Sequence, residues 1–178
     1  DLSPGVFVVI NQYVDFTKNR ITTFFDNDIV VHVSMATPTD ERLMEISRAC
    51  LGKLNIKYNF GGSYICIDGP QFSTKKESRL FQKWGCDVIG MTSMPEAKLC
   101  REASLRYVNI GMVTDFDCWH PDHENVEVSN VISTLEGNAK DAKKFILEFI
   151  LNYSKSSIKN KLNSYDSLVT AKNKIKKD

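Results

Sequence analysis

Residues 107–119 read YVNIGMVTDFDCW, an apolar run that breaks into a turn carrying two acids. The run from Tyr107 to Val113 has the length and β-branched content of a buried strand. We expect Asp115 and Asp117 to lie at its carboxyl end, where ligands bind in open α/β sheets. Two acids one residue apart beside apolar sequence repel and desolvate each other, so one is predicted to hold its proton more tightly. Such a pair can donate one hydrogen bond and accept another.

The composition favours one folded domain. The chain has 178 residues, 42% of them hydrophobic, and a formal net charge of +1. It can bury a core and gives no reason to expect a nucleic-acid or membrane partner. No apolar run approaches the roughly 18 residues of a spanning helix, and the first residues do not resemble a signal peptide. Five cysteines occur without Cys-x-x-Cys spacing. We interpret them as reduced residues of a cytoplasmic protein.

Apolar runs alternate with helical patterns along the chain. Strands are predicted at 6–10, 29–33, 64–67, 86–90 and 107–113. Helical spacing predicts helices at 39–54, after Thr74, after Pro95, and between Val128 and Tyr153. Thr74 and Glu77 fit a capping box, and the buried face of that helix is predicted to consist of Leu80, Phe81 and Trp84. This alternation predicts an α/β sheet with helices on both faces.

The end of the chain differs in charge from the rest. We place the domain at residues 1–154 and interpret 155–178 as a basic helical tail of the same domain, in which seven lysines stand against two aspartates. Binding to an acidic partner is one reading of this tail. A solvated helix that frays at its end is the commoner explanation, and we assign the tail no function.

Polar residues follow three predicted strands. Phe72 offers an aromatic face after the third strand, Thr92 a hydroxyl at a helix start after the fourth, and Asp115 and Asp117 an acid pair after the fifth. If these strands are parallel, the three groups meet at one edge and suit a small ligand with a flat ring and an anion. The cluster Cys118, His120 and His123 is too crowded for a metal centre, so no metal is predicted.

Three ordered motifs carry a family resemblance. They are GPQFST at 69–74 followed by Glu77 and Ser78, WGCDVIGMT at 84–92 followed by Pro95 and Glu96, and TDFDCW at 114–119. From the first strand to about Tyr153, the chain resembles the trimeric purine nucleoside phosphorylase family, and within it the members that act on 5′-methylthioadenosine. The resemblance implies a mixed, mostly parallel β-sheet flanked by helices. It also implies that the family's N-terminal part, with its Gly-rich phosphate loop, is absent from this sequence.

The resemblance implies a reaction as well as a fold. Inorganic phosphate would attack the anomeric carbon of 5′-methylthioadenosine, giving adenine and 5-methylthioribose 1-phosphate. Phosphate is a co-substrate of this reaction, and no cofactor is implied. The implied assembly is a homotrimer whose partners are the nucleoside and phosphate, with roles in purine and methionine salvage.

Site residues follow by position within the motifs. The resemblance implies that Asp115 donates to the imidazole-ring nitrogen of the purine and that Asp117 accepts from the 6-amino group. A donor must keep its proton and an acceptor must be ionised, which agrees with the expected behaviour of an acid pair. The resemblance further implies that Phe72 packs on the nucleoside, that Ser73 lies near the base and that Met91 lies against the ribose. It implies that Thr92 binds phosphate. It also implies that Val128 and His32, the latter from a neighbouring subunit, border the methylthio group.

Other interpretations of the same residues stay open. The enzyme's substrate could be another purine nucleoside, such as inosine, adenosine or methylthioinosine, or the chain could be a non-catalytic fragment or homologue that retains the base site. Taken alone, Asp115 and Asp117 would be a solvated turn, and His32 would be a core histidine.

Overall fold

A computed structural model describes residues 2–25, 30–120 and 128–158, and for 128–131 it describes the backbone alone. The elements of this part of the chain are β1 (Phe7–Ile10), β2 (Gln12–Asp15), α1 (Glu41–Lys53), β3 (Tyr58–Phe60), β4 (Ser63–Cys66), α2 (Lys75–Lys83), β5 (Val88–Gly90), α3 (Glu96–Glu102), β6 (Asn109–Met112) and α4 (Val128–Lys155). None of these helices is long and apolar enough to span a membrane.

The strands form two three-stranded sheets. The first has the order β3-β1-β6, with β3 parallel and β6 antiparallel to β1. The second has the order β2-β4-β5, and its strands are all parallel. Because only Asn11 separates β1 from β2, one extended stretch of chain contributes to both sheets. The predicted α/β architecture, mixed but mostly parallel and flanked by helices, is confirmed.

The direction of β6 differs from the prediction. We expected it to end at the same edge as the strands at 64–67 and 86–90, but it pairs antiparallel with β1 in the other sheet. Met112 therefore lies opposite Phe7, whereas β4 and β5 end together where Cys66 lies opposite Gly90. An apolar run specifies a strand but not its direction. The residues that follow β6 reach the ends of β4 and β5 only through the turn after it.

Two helices, α1 and α4, cover the first sheet. The side chain of Asp40 caps α1 by accepting from the backbone N–H groups of Arg42 and Leu43, which satisfies donors that lack partners inside the helix. The buried core between this sheet and the two helices consists of Phe7, Val9, Met44, Cys50, Leu51, Ile56 and Phe145. The apolar spacing that predicts α4 includes Ala142, Ile146 and Phe149, and of these Ala142 and Phe149 pack against this core. Ile146 is 53% exposed, and its neighbour Phe145 is buried instead.

The second sheet is covered by α2 and α3. Phe81 of α2 packs against Ile65 and Ile67, and Ala97 of α3 is fully buried in a cluster with Tyr64 and other side chains. The predicted capping box is confirmed, because Thr74 and Glu77 exchange side-chain and backbone hydrogen bonds at the start of α2.

Two further predictions about these elements are wrong. Leu80 and Trp84 were expected to be buried with Phe81, but they are 39% and 51% exposed, because the short helix turns one narrow stripe towards the sheet. The strand predicted at 29–33 is absent from residues 30–33, which have no regular structure, and Ile29 lies outside the described residues. Val30 is 70% exposed. A run of β-branched residues forms a strand only where a partner strand is available for hydrogen bonding.

Two strands, β2 and β3, were not predicted from the sequence. The β2 strand is half-buried and carries polar residues at both ends, while all three residues of β3 are exposed. Neither shows the apolar run that predicts a strand. The basic tail lies outside the described residues from position 159 onward.

Candidate active site

The loop that follows β4 contacts the loop that follows β5. These two strands are parallel neighbours, and the Ile67 N–H donates to the carbonyl of Gly90 at 2.9 Å. Gly69 has a φ of +69°, a conformation that favours glycine, and a β-carbon built there would overlap the sulfur of Met91. Because this sulfur belongs to a flexible side chain, a larger residue at position 69 would push Met91 aside. Met91 follows β5 directly and lies against the loop after β4.

Replacing Gly69 with alanine should displace Met91. We expect a loss of about 1–2 kcal/mol in the free energy of unfolding from the left-handed backbone, and in addition a raised KM for the nucleoside that the family resemblance implies as substrate. Urea unfolding and steady-state kinetics measure the two effects. Gly5→Ala is the matched control, because Gly5 has a φ of +87° and a β-carbon placed there would have nothing within 4 Å. An unchanged KM in Gly69→Ala would show that Met91 does not border the nucleoside.

Arg20 ties the same two loops to the chain after β2. Its guanidinium donates to the Asp68 carboxylate at 3.0 Å, to the Ile67 carbonyl at 3.2 Å, and to the carbonyl of Met94. The backbone N–H of Lys18 also donates to Asp68, at 2.8 Å. A planar guanidinium suits several acceptors at fixed angles. The geometry of the loop that carries Phe72 and Ser73 is thus fixed from outside the loop.

Phe72 and Ser73 stand directly before α2. Phe72 is 88% exposed and Ser73 is half-buried, so the aromatic ring presents a face that a flat ligand can cover. The backbone N–H of Thr74 donates to Glu77 at 2.8 Å, as does its hydroxyl, and these hydrogen bonds hold the pKa of the Glu77 carboxyl below its usual value. The ionised capping box anchors the start of α2 beside these two residues.

The turn after β6 reaches back to α2. Oδ2 of Asp117 accepts from the hydroxyl of Ser78 at 2.5 Å, and the thiol of Cys118 donates to the carbonyl of Ser73 at 3.5 Å. Burial and the Asp117 carboxylate raise the pKa of the Cys118 thiol, which keeps it protonated as a donor. These contacts bring the turn and the loop after β4 together, although β6 runs in the opposite direction to β4.

Inside the turn, short-range contacts fix its shape. The rings of Phe116 and His120 stack with centroids 4.5 Å apart, and the backbone N–H of His120 donates to the backbone carbonyl of Asp117 at 3.1 Å. Asp115 is exposed and accepts from the Thr114 hydroxyl at 2.5 Å. The two acids therefore differ in environment, with Asp115 open to solvent and Asp117 half-buried against α2.

Thr92 is exposed above a group of buried polar side chains. Its N–H makes a long contact of 3.5 Å with the hydroxyl of Tyr64. Next to it, the buried hydroxyl of Ser93 accepts from the side-chain amide of Asn109 at 2.6 Å. Burial raises the pKa of the Tyr107 phenol, which belongs to the same cluster, to about 12. The side chains beneath Thr92 are therefore uncharged at physiological pH.

The remaining predicted site residues are placed only in part. His32 is exposed in a segment without regular structure, so the alternative of a core histidine is wrong. Val128 is the first residue of α4, and its side chain lies outside the described residues. Within residues 2–25, 30–120 and 128–158, no group of three His, Cys, Asp or Glu side chains is arranged to hold a metal ion. His123 lies outside these ranges.

Sequence reasoning did not assign a role to Ser78 or Tyr64. Ser78 is 1% exposed and contacts Asp117, and the Tyr64 hydroxyl lies beneath Gly90 and Thr92. One signal was available for Ser78, because a polar residue one turn after a helix N-cap faces the same side as the cap. No pattern in the sequence connects Tyr64 with Thr92.

Residues 1–151 match the family model described as the phosphorylase superfamily. The chain belongs to this superfamily. A relative from Rhodospirillum rubrum, named S-methyl-5′-thioadenosine phosphorylase, is 50% identical over 146 residues, which are 82% of this chain and 50% of the relative. A relative of the same name from Emericella nidulans is 45% identical over 150 residues, or 82% of this chain and 42% of the relative. The chain thus spans about half the length of such phosphorylases.

Solved structures of superfamily members agree with the fold. A methylthioadenosine phosphorylase from an Antarctic soil metagenomic library superposes with a TM-score of 0.87 at 38% identity, covering 96% of this chain and 60% of that one. The methylthioadenosine phosphorylase of Schistosoma mansoni in complex with adenine has a TM-score of 0.82 at 32% identity, covering 88% and 61%. The family resemblance carried by the three motifs is confirmed.

Proposed function

We propose that the full-length protein containing this chain catalyses phosphorolysis of 5′-methylthioadenosine. The observation that carries the proposal is the pair of carboxyl groups after β6, one exposed and one anchored to α2, in a turn that contacts the residue after Phe72. In the proposed complex Asp115 donates to a flat purine, Asp117 accepts from it, and the exposed ring of Phe72 provides a stacking face. The names and identities of the relatives support the same substrate.

In the proposed reaction, an oxygen of inorganic phosphate bonds to the anomeric carbon as the bond from that carbon to the purine breaks. The purine keeps the electron pair of the broken bond and receives a hydrogen bond or proton from Asp115 at its imidazole ring. Asp117 accepts from the 6-amino group, and Thr92 contacts phosphate. Met91 lies against the ribose, and Phe72 and Ser73 contact the nucleoside. Phosphate is the only co-substrate required.

The direct test is phosphate-dependent release of adenine. The full-length protein should convert methylthioadenosine to adenine in phosphate buffer and release none when sulfate replaces phosphate. Matched assays with inosine, adenosine and methylthioinosine rank the purine nucleosides. Adenine release that does not need phosphate would indicate a hydrolase, and no release would indicate a non-catalytic homologue. Either result overturns the proposal.

The proposed assembly is a homotrimer in which His32 enters the site of a neighbouring subunit. Its segment carries apolar side chains that the single chain leaves exposed: Ile21 is 81%, Phe24 is 62% and Val30 is 70% exposed. Exposed apolar side chains grouped in one segment are typical of surfaces that another protein covers. Cytoplasmic location is also proposed, since all five cysteines are unpaired, as is usual in a reducing compartment.

Replacing His32 with alanine should weaken methylthioadenosine binding without unfolding the protein. Because the side chain is exposed in the single chain, its loss removes no core contact. We expect KM to rise by about tenfold, the scale for removing a packed side chain at an interface. Thermal melting and sedimentation check that the variant is folded and has the wild-type assembly. A normal KM in a folded, correctly assembled variant would remove His32 from the site.

A further inference from the structure

Ser78 is a buried hydroxyl directed at a predicted base contact. It lies in the first turns of α2, is 1% exposed, and donates to Oδ2 of Asp117 at 2.5 Å. A ligand cannot reach a side chain that is buried to this extent. Ser78 can therefore affect the reaction only indirectly, through the groups that it contacts.

The Asp117 carboxylate is held from two sides. Oδ1 accepts from the backbone N–H of Cys118 at 2.8 Å, which is a contact inside the turn, and Oδ2 accepts from Ser78, 39 residues away in the sequence. The contact with Cys118 moves with the turn. The contact with Ser78 holds the carboxylate itself against α2, whose first residues follow Phe72 and Ser73. Ser78 therefore sets the position of the Asp117 carboxylate relative to the loop that carries Phe72.

We propose that Ser78 is a positioning residue that fixes Asp117 as the acceptor for a 6-amino group and thereby sets a preference for 6-aminopurines. This proposal rests on the proposed function. A hydroxyl that donates to Oδ2 holds the carboxylate in one orientation, from which it can accept from an amino group. It also occupies one lone pair of Oδ2, which leaves the carboxylate a restricted set of directions for the purine.

The test compares two substrates that differ only at position 6. Ser78→Ala and wild type are assayed with methylthioadenosine and with the matching methylthio nucleoside of purine, which lacks the 6-amino group. We expect kcat/KM for methylthioadenosine to fall by about tenfold, the scale of one hydrogen bond to a charged group. For the nucleoside of unsubstituted purine, kcat/KM of Ser78→Ala should stay within about twofold of wild type, since that base has no 6-amino group to donate to Asp117.

Two controls separate positioning from packing. Ser47→Ala also removes a fully buried helical hydroxyl, which in the wild type donates to the Leu43 carbonyl at 2.8 Å far along the chain from the site, and it should leave the substrate ratio unchanged. A double-mutant cycle with Asp117→Ala tests the coupling, because Ser78→Ala should change the substrate ratio little once the carboxylate is gone and nothing replaces it as a partner of Ser78. Ser78→Thr keeps a hydroxyl and should restore part of the preference.

The outcomes are distinct. Equal losses on both substrates, or additive effects in the cycle, would show that Ser78 is only structural and would overturn the inference while the proposed function stands. If wild type releases no adenine, the proposed function fails. The positioning role of Ser78 is then tested by calorimetry, in which the binding of adenine and of purine to wild type and to Ser78→Ala is measured. Loss of the adenine preference in Ser78→Ala would still support the positioning role, and equal binding of both bases by wild type would overturn it.

Discussion

Replacing Asp115 with alanine is expected to lower kcat for methylthioadenosine by about 10²-fold or more, the usual scale for losing a general acid or a transition-state donor. Negative charge gathers on the purine only as the bond to the sugar breaks, so the hydrogen bond to its ring nitrogen is stronger in the transition state than in the ground state. Substrate binding should therefore fall less than kcat. Because Asp115 is exposed and its described side-chain contact is with its neighbour Thr114, the variant should fold normally.

The loss in Asp115→Ala should also depend on the leaving group. If the base of a nucleoside departs easily without protonation, its transition state depends less on a hydrogen-bond donor. The fall in kcat caused by Asp115→Ala should therefore be smaller for such a nucleoside. Kinetics on such a substrate, with the melting temperature and assembly state as controls, complete the measurement. A folded, wild-type-like assembly with activity within a few-fold of normal on methylthioadenosine would exclude Asp115 as the donor.

Replacing Asp117 with asparagine is expected to shift preference from adenine towards 6-oxopurine nucleosides. The Cys118 N–H at 2.8 Å requires an acceptor, which directs the amide oxygen towards it and the amide nitrogen towards Ser78. The Ser78 hydroxyl can turn to accept one amide hydrogen, and the second is then available to a 6-oxo group. One such exchanged hydrogen bond should change the ratio of kcat/KM values by about 10- to 100-fold.

The measurement for Asp117→Asn is the ratio of kcat/KM for methylthioadenosine to that for methylthioinosine. The same geometry sets the control: in Asp117→Asn combined with Ser78→Ala, the amide loses the partner that orients it, so the shift should be smaller. Unchanged selectivity in the single variant would contradict the assignment of Asp117 to the 6-amino group.

Local patterns predicted the individual elements well. The helix capped by Asp40 and the Thr74–Glu77 capping box each depend on contacts between residues close in sequence. The apolar run at 6–10 forms a strand because distant partners, β3 and β6, lie on both sides of it. The strand at 30–33 failed for the opposite reason, since a strand needs a partner and the apolar content of Val30 and its neighbours cannot reveal whether one exists.

The candidate site could be predicted only in part from the sequence. The motifs select Phe72, Thr92, Asp115 and Asp117, whose roles stay predictions, and the expected meeting of three parallel strand ends was wrong because β6 is antiparallel. What joins the turn to α2 is the pair of contacts from Ser78 and Cys118. These join residues that are 39 and 45 positions apart, and no local spacing encodes such a contact.

The passage of the chain from β1 to β2 through Asn11 has a consequence for how the protein opens. Asn11 is held on several sides: its side-chain oxygen accepts from the Gly62 N–H, its own N–H donates to the Gly62 carbonyl, and its carbonyl accepts from Thr39. Since one continuous stretch serves both sheets, neither sheet can detach without disturbing this junction. Amide protons on both sides of Asn11 should therefore exchange with solvent together, in a single cooperative unit that includes β4, the partner of β2.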